Sequence, residues 1–208
     1  MIRVLFFDIG GVLIDIHPER TFQYISDCTD LDIEIVKQSF PNELHNQYEK
    51  GLINNKEWFL GFKDALPQPV CLKESDFWHA WKLLLGKEKK TVQIIKNLSR
   101  NYSIWLLSNT NVKHIDDELK KRYIFPDLVD GAVYSFDVGL RKPDKSIYSI
   151  ALEKAGVQPD QCVYIDDLIE NVEAGREAGF ISFHFKSFDQ LRADLNSIGF
   201  KITGNTYS

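Results

Sequence analysis

The second half of this chain alternates short apolar runs with longer amphipathic stretches, and that rhythm restricts the fold more than any other feature of the sequence. Glu88–Asn101 reads as a helix, Ser103–Leu107 as a strand and Asn111–Arg122 as a helix. Ala132–Ser135 follows as a strand, Asp144–Ala155 as a helix and Cys162–Ile165 as a strand. Ile169–Ala178 is then a helix, Ile181–Phe185 a strand and Phe188–Ile198 a last helix. A further apolar run, Arg3–Asp8, opens the chain as a buried parallel strand and is broken by Gly10 and Gly11. Strands alternating with helices of roughly 10–15 residues predict an α/β fold, a Rossmann-like doubly wound parallel sheet.

The stretch between the first strand and this alternation has a different character. From about His17 to Gly86 it is helical and strand-poor. Phe22, Ile25 and Ser26 share one helical face, and Leu31, Ile35, Val36 and Phe40 mark the next segment. Asn54 or Asn55 can cap a helix carrying Trp58, Phe59, Phe62 and Leu66, and Ser75–Leu85 resumes after Pro67 and Pro69. The expected organisation is a core of residues 1–15 and 87–208, interrupted by a helical insert over 16–86. Trp58, Trp78 and Trp81 read as the apolar core of that insert, and Lys87–Lys90 as a solvated hinge.

Composition narrows the function classes. Of 208 residues, 44% are hydrophobic and 26% charged, enough to bury a real core. A formal net charge of −5 argues against nucleic acid or an anionic membrane surface as partner. Cys28, Cys71 and Cys162 are isolated, which fits neither a disulfide framework nor a zinc site and suits a reducing compartment. The apolar run from Val4 to Phe7 is too short for a signal peptide or a membrane span, so a cytoplasmic protein is expected.

In open α/β sheets, ligands bind beyond the carboxyl ends of the strands. Four polar features fall at such ends: Asp8 after the first strand, Ser108-Asn109-Thr110 after the second, Lys142-Pro143 in the loop after the third, and Asp166-Asp167 after the fourth. Singly, the first three are ordinary turn formers, helix caps or helix entries. The Asp-Asp pair is more selective, because adjacent carboxylates repel unless a cation or hydrogen bonds hold them.

This ordered set resembles the haloacid dehalogenase superfamily. Asp8 matches the nucleophile of its first motif, Ser108 the hydroxyl of the second, Lys142 the lysine of the third, and Asp166 and Asp167 the acidic pair of the fourth. The insert stands where that superfamily carries a helical cap. Phe7-Asp8-Ile9-Gly10-Gly11-Val12, Leu107-Ser108-Asn109-Thr110-Asn111, Leu140-Arg141-Lys142-Pro143 and the cap stretch Gln47-Tyr48-Glu49-Lys50-Gly51 look most like the branch containing bacterial α-glucose-1-phosphate phosphatases.

The resemblance implies a Mg²⁺-dependent phosphatase acting on a small phosphorylated metabolite through an aspartyl-phosphate on Asp8. Asp8, Asp166, Asp167 and the carbonyl of Gly10 would hold the metal, with Asp167 a likelier direct ligand than Asp166. Ser108, Asn109 and Lys142 would hold the phosphate, and Asn171 would brace the acidic loop. Linkers near Asp15–Pro18 and Leu85–Lys87 would let the cap gate access.

Gly10 is the departure. Most phosphatases of the superfamily carry an Asp there that protonates the leaving oxygen, a function typically worth about 10²- to 10⁴-fold in rate. His17, Asp15, His45 and Glu49 are candidate replacements. Two alternatives follow from the same gap: a metal-free 2-haloacid dehalogenase, whose halide needs no proton, and a low-turnover protein that binds phosphorylated ligands. The paired carboxylates favour the phosphatase, since they suit a divalent cation and have no use in a metal-free ester mechanism.

Overall fold

In a computed structural model, residues 1–202 are described. Five parallel strands form the central sheet in the order β5-β4-β1-β6-β7. They are β1 (Val4–Phe7), β4 (Ser103–Ser108), β5 (Gly131–Tyr134), β6 (Cys162–Asp166) and β7 (Ile181–His184). Each lies within a residue or two of its expected place. β1 is central and buried on both faces, as an unbroken apolar run requires. Leu5 and Phe7 pack on one side with Ile104, Leu106, Val163 and Ile165. Val4 and Phe6 pack on the other with Leu107, Val133, Cys162 and Tyr164.

Helices cover the sheet. They include α6 (Val92–Leu98), α9 (Lys145–Ala155), α10 (Ile169–Glu177) and α11 (Phe188–Ser197), with the short turns α7 (Lys120–Arg122) and α8 (Ser135–Val138) between strands. Asp144 caps α9 by accepting a hydrogen bond from the Ser146 amide, and Gly156 ends it in a left-handed conformation. The segment His114–Leu119, expected as ordinary helix, is wound as a π-helix.

Residues 18–83 form five helices: α1 (Pro18–Thr29), α2 (Ile33–Gln38), α3 (Asn42–Glu49), α4 (Asn55–Ala65) and α5 (Glu74–Leu83). They enclose a separate cluster built from Ile25, Val36, Tyr48, Trp58, Phe59, Phe62, Phe77 and Trp81. Asn54 starts α4 with a full capping box, its side chain accepting from the Glu57 amide while Glu57 accepts from the Asn54 amide.

The junction of cap and core departs from the reading of the sequence. Leu85–Glu88 forms a strand, β3, paired antiparallel with β2 (Ile14–Ile16), so the two linkers make one hairpin-like bridge. The helix expected from Glu88 therefore starts only at Val92. The two strands lie about 70 residues apart, a pairing that local periodicity does not reveal. Tertiary bonds fix it: Tyr123 donates to the Gly86 carbonyl at 2.8 Å and Arg122 to the Leu85 carbonyl at 3.0 Å.

Phe77 is fully buried against Trp58, Phe59, Phe62 and Trp81. Phe77→Ala is expected to cost about 3–5 kcal/mol in denaturant unfolding. A loss below about 1 kcal/mol would show that the cap is loosely packed.

Candidate active site

Parallel register brings the polar residues together. Phe7 pairs with Leu106 on one side and Ile165 on the other, so Asp8 and Asp166 leave the sheet at the same level. The amide of Asp8 still donates to the Ile165 carbonyl at 2.9 Å. The chain then folds back tightly over 9–14, with Leu13 and Ile14 donating to the Ile9 carbonyl. Gly11 has a φ of +69°, and a Cβ there would meet Asp167 Oδ2 at 1.9 Å. Glycine is required both by the turn and by the approach of Asp167.

One carboxylate oxygen each from Asp8, Asp166 and Asp167 lie within 4.8 Å of one another. The ammonium of Lys142 stands 2.9 Å from Asp8 Oδ1 and 2.6 Å from Asp166 Oδ2, and donates to the Leu107 carbonyl at 2.8 Å. Its backbone is held in turn by Asn109, whose side chain accepts from the Lys142 amide at 2.8 Å and donates to the Lys142 carbonyl at 2.9 Å. The Asn109 side chain, expected on the phosphate, thus fixes the lysine loop. Ser108 is buried at the end of β4 beside Asp8, and its hydroxyl donates to the Asn109 carbonyl at 3.5 Å.

The two adjacent aspartates differ in environment. Both oxygens of Asp166 are occupied. Oδ1 accepts from the Leu168 amide at 2.8 Å and from Asn171 at 3.1 Å, and Oδ2 from Lys142, Asn171 and the Tyr164 hydroxyl. Among the described residues no other residue donates a hydrogen bond to the carboxylate of Asp167, which lines an open cleft of about 490 Å³ with Asp8, Gly10, Lys89, Arg141 and Lys142. Asp167 and Asp8 are therefore the carboxylates with oxygens free for a cation, while Asp166 orients the lysine.

Proton affinities follow this geometry. Burial pushes Asp8 up to about 7, against the pull of Lys142 and with a further push from Asp166. Burial, then the charge of Asp166, also raises Asp167. Burial works against ionisation of Asp166 too, but the Lys142 ammonium and the hydrogen bonds outweigh it, leaving the group below the usual carboxylate range. Burial would lower Lys142, yet Asp8 and Asp166 together hold it above its ordinary value. Three gathered carboxylates with one lysine between them form a site short of positive charge. A hard divalent cation with oxygen ligands fits that donor set.

The sequence missed Tyr164 and Arg141 as functional positions. Tyr164 stands two residues before Asp166 on the same face of β6, a signal available from strand periodicity. Arg141 reaches from the lysine loop to the cap, donating to Glu49 Oε2 at 2.7 Å and to Asn46 Oδ1 at 2.7 Å. Of the candidate acids, His45, Glu49, Asp15 and His17 all line the two cavities near Gly10.

The model of the haloacid dehalogenase-like hydrolases matches residues 2–179. The chain belongs to that family. Over 206 residues it is 24% identical to D-ribitol-5-phosphate phosphatase of Bacteroides thetaiotaomicron, covering 95% of this chain and 98% of that protein. A sesquiterpene phosphatase of Aspergillus oryzae is 22% identical over 182 residues, 88% of this chain and 89% of that one. Among solved structures, a magnesium complex of a family enzyme from B. thetaiotaomicron superposes with a TM-score of 0.79 at 25% identity, covering 91% and 98% of the two chains. The fold expected from the sequence, a Rossmann-like α/β sheet, is the fold of this hydrolase family. Among the described residues no helix is long and apolar enough to cross a membrane.

The raised Asp8 gives a signed prediction for the metal-free protein. Ionising a carboxyl whose folded pKa lies near 7 and whose unfolded pKa lies near 3.8 lowers stability progressively as pH rises between those values. Asp8→Asn is therefore expected to raise the thermal midpoint by several degrees at pH 8, and by much less at pH 4, in calorimetry with chelator. Equal changes at both pH values would contradict this reading of Asp8.

Proposed function

We propose that this hydrolase is a Mg²⁺-dependent phosphomonoesterase acting on a small sugar or polyol phosphate. The observation that carries the proposal is the cluster of Asp8, Asp166 and Asp167 around the buried ammonium of Lys142. Mg²⁺ would be held by Asp8, Asp167 and the Gly10 carbonyl, and when bound it supplies the positive charge that the phosphate and the carboxylates require.

The chain's own residues carry the remaining steps. Asp8 attacks phosphorus with its free carboxylate oxygen, the bond from phosphorus to the leaving oxygen breaks, and that oxygen takes a proton from water in the open cleft, giving an acyl phosphate and the alcohol. Water then attacks that phosphorus, the bond to Asp8 breaks, and inorganic phosphate and the free carboxylate are returned. Lys142 holds a fixed charge beside the transferring group, and Ser108 offers a hydroxyl to a phosphate oxygen. Asp166, Tyr164 and Asn171 keep the lysine aimed at Asp8.

The substrate class draws support from two directions. The motifs resemble the α-glucose-1-phosphate phosphatase branch, and a relative that spans nearly the whole chain is a D-ribitol-5-phosphate phosphatase. Both are monophosphates of short polyhydroxylated carbon chains.

Phosphate release should be measured on glucose 1-phosphate, ribitol 5-phosphate and other sugar phosphates, with Mg²⁺ and then with chelator. Release is expected only with the metal, and Asp8→Asn is expected to reduce it by a factor of order 10³ or more. Turnover that survives Asp8→Asn would remove Asp8 as nucleophile. Failure to release phosphate from every ester would overturn the phosphatase reading.

A further inference from the structure

The sequence marks Lys87–Lys90 as a solvated hinge, and Lys87 and Lys90 are indeed exposed. Lys89 is different: it is half-buried and lines the catalytic cleft with Asp8, Gly10 and Asp167. It is the first residue after β3, where the chain returns from the cap to the core. Its ammonium donates to the Gly11 carbonyl at 2.6 Å, and its amide donates to the Leu13 carbonyl at 2.8 Å. The same ammonium lies 5.2 Å from the centre of the Phe185 ring, and the Phe185 amide in turn donates to the Asp166 carbonyl at 2.8 Å. The carboxylate of Asp15 stands 3.8 Å away, too far for a hydrogen bond, so the short contact of this lysine is a backbone carbonyl.

We propose that Lys89 is a positioning residue for the metal site, holding the Gly10–Gly11 turn in the conformation that presents the Gly10 carbonyl and seats Asp167. The proposal rests on the Mg²⁺-dependent reading above and deepens it. Glycine is the least restrained of residues, and here two stand in a row. The turn holds itself only in part: the Gly11 amide donates to the Ile14 carbonyl at 3.0 Å, and Leu13 and Ile14 donate to the Ile9 carbonyl. Among the described residues, only Lys89 donates to the Gly11 carbonyl, and none donates to the Gly10 carbonyl. The carbonyl that would ligate the cation is thus left open, while the next one along is fastened from outside the turn. Asp167 sits against Gly11, where a Cβ would meet its Oδ2 at 1.9 Å, so a peptide that swings at Gly11 also displaces that carboxylate.

Charge alone gives the opposite consequence. An ammonium in the cleft repels a divalent cation, and by that effect its removal would tighten Mg²⁺ binding. By position, its removal frees the Gly11 carbonyl and loosens two of the ligands, so Mg²⁺ binding weakens. Position wins on this geometry. The ammonium borders an open cleft, where water and salt screen its field, whereas its hydrogen bond to the carbonyl is short and charge-assisted.

Isothermal titration of the whole chain with Mg²⁺, in the absence of any ester, separates the two effects by sign. Lys89→Met keeps an unbranched side chain against Phe185 but removes the donor, and is expected to raise the Kd for Mg²⁺ by about tenfold. Lys89→Arg restores a charged donor and is expected to bring the Kd back to within about twofold of the unmodified protein. Lys90→Met removes the same charge one residue away and is expected to leave the Kd unchanged. Should Lys89→Met fail to fold, Lys89→Gln, one bond shorter than lysine, takes its place. A Kd that is unchanged or lowered in Lys89→Met would overturn the proposal. So would an Arg variant no better than the Met variant, or an equal loss in Lys90→Met; in each case the metal-dependent phosphatase reading stands. If the unmodified protein binds no Mg²⁺, that reading falls and this inference falls with it.

Discussion

The Lys142 ammonium, held between Asp8 and Asp166, is the interaction on which the site depends. A buried charge is costly unless it is paired and hydrogen-bonded, and this one meets two carboxylates and a backbone carbonyl. The surrounding geometry serves that arrangement. Asn109 clamps the lysine backbone, Tyr164 and Asn171 fix Asp166, and the parallel register of β1 and β6 sets the two carboxylates level. Without the lysine, three gathered carboxylates would repel one another in a partly dehydrated cleft.

That network divides labour between two adjacent residues of identical type. Asp166 has every oxygen occupied and acts as a support, while Asp167 faces the cleft with no donor from another of the described residues. Gly11 makes this possible, because its missing side chain is the space that Asp167 occupies. Backbone conformation and carboxylate placement are thus one constraint, met by a glycine that the sequence shows only as a strand breaker.

The cap is joined to the same loop. Arg141, next to Lys142, holds Glu49 and Asn46 of α3, so the residue that anchors the cap and the residue that anchors the site are neighbours in the chain. On the other side, His114 of the π-helical segment donates to the Trp81 carbonyl at 3.1 Å and stacks on its ring. Burial lowers His114 to about 4, so the imidazole is neutral near pH 7, and accepting from Asn111 through Nδ1 sets its tautomer. The cap is therefore closed over the carboxyl ends of the strands by contacts from both sides of the cleft.

The sequence by itself determined the parallel sheet, the helical insert and the polar residues at the strand ends. Those features rest on local periodicity and on the rule that strands of an open α/β sheet present their carboxyl ends to ligands. Asp8, Ser108, Lys142, Asp166 and Asp167 were legible for that reason, and Asn171 through its motif position. Tertiary structure alone decided which aspartate is free, that Asn109 holds the lysine loop, that β2 and β3 pair across the cap, and that Arg141 grips Glu49. Each of these depends on partners far apart in the chain, and sequence spacing carries no measure of such distances. The role of Gly10 divides the same way: the sequence shows a missing acid, and only packing shows that a side chain there would press on Ile16.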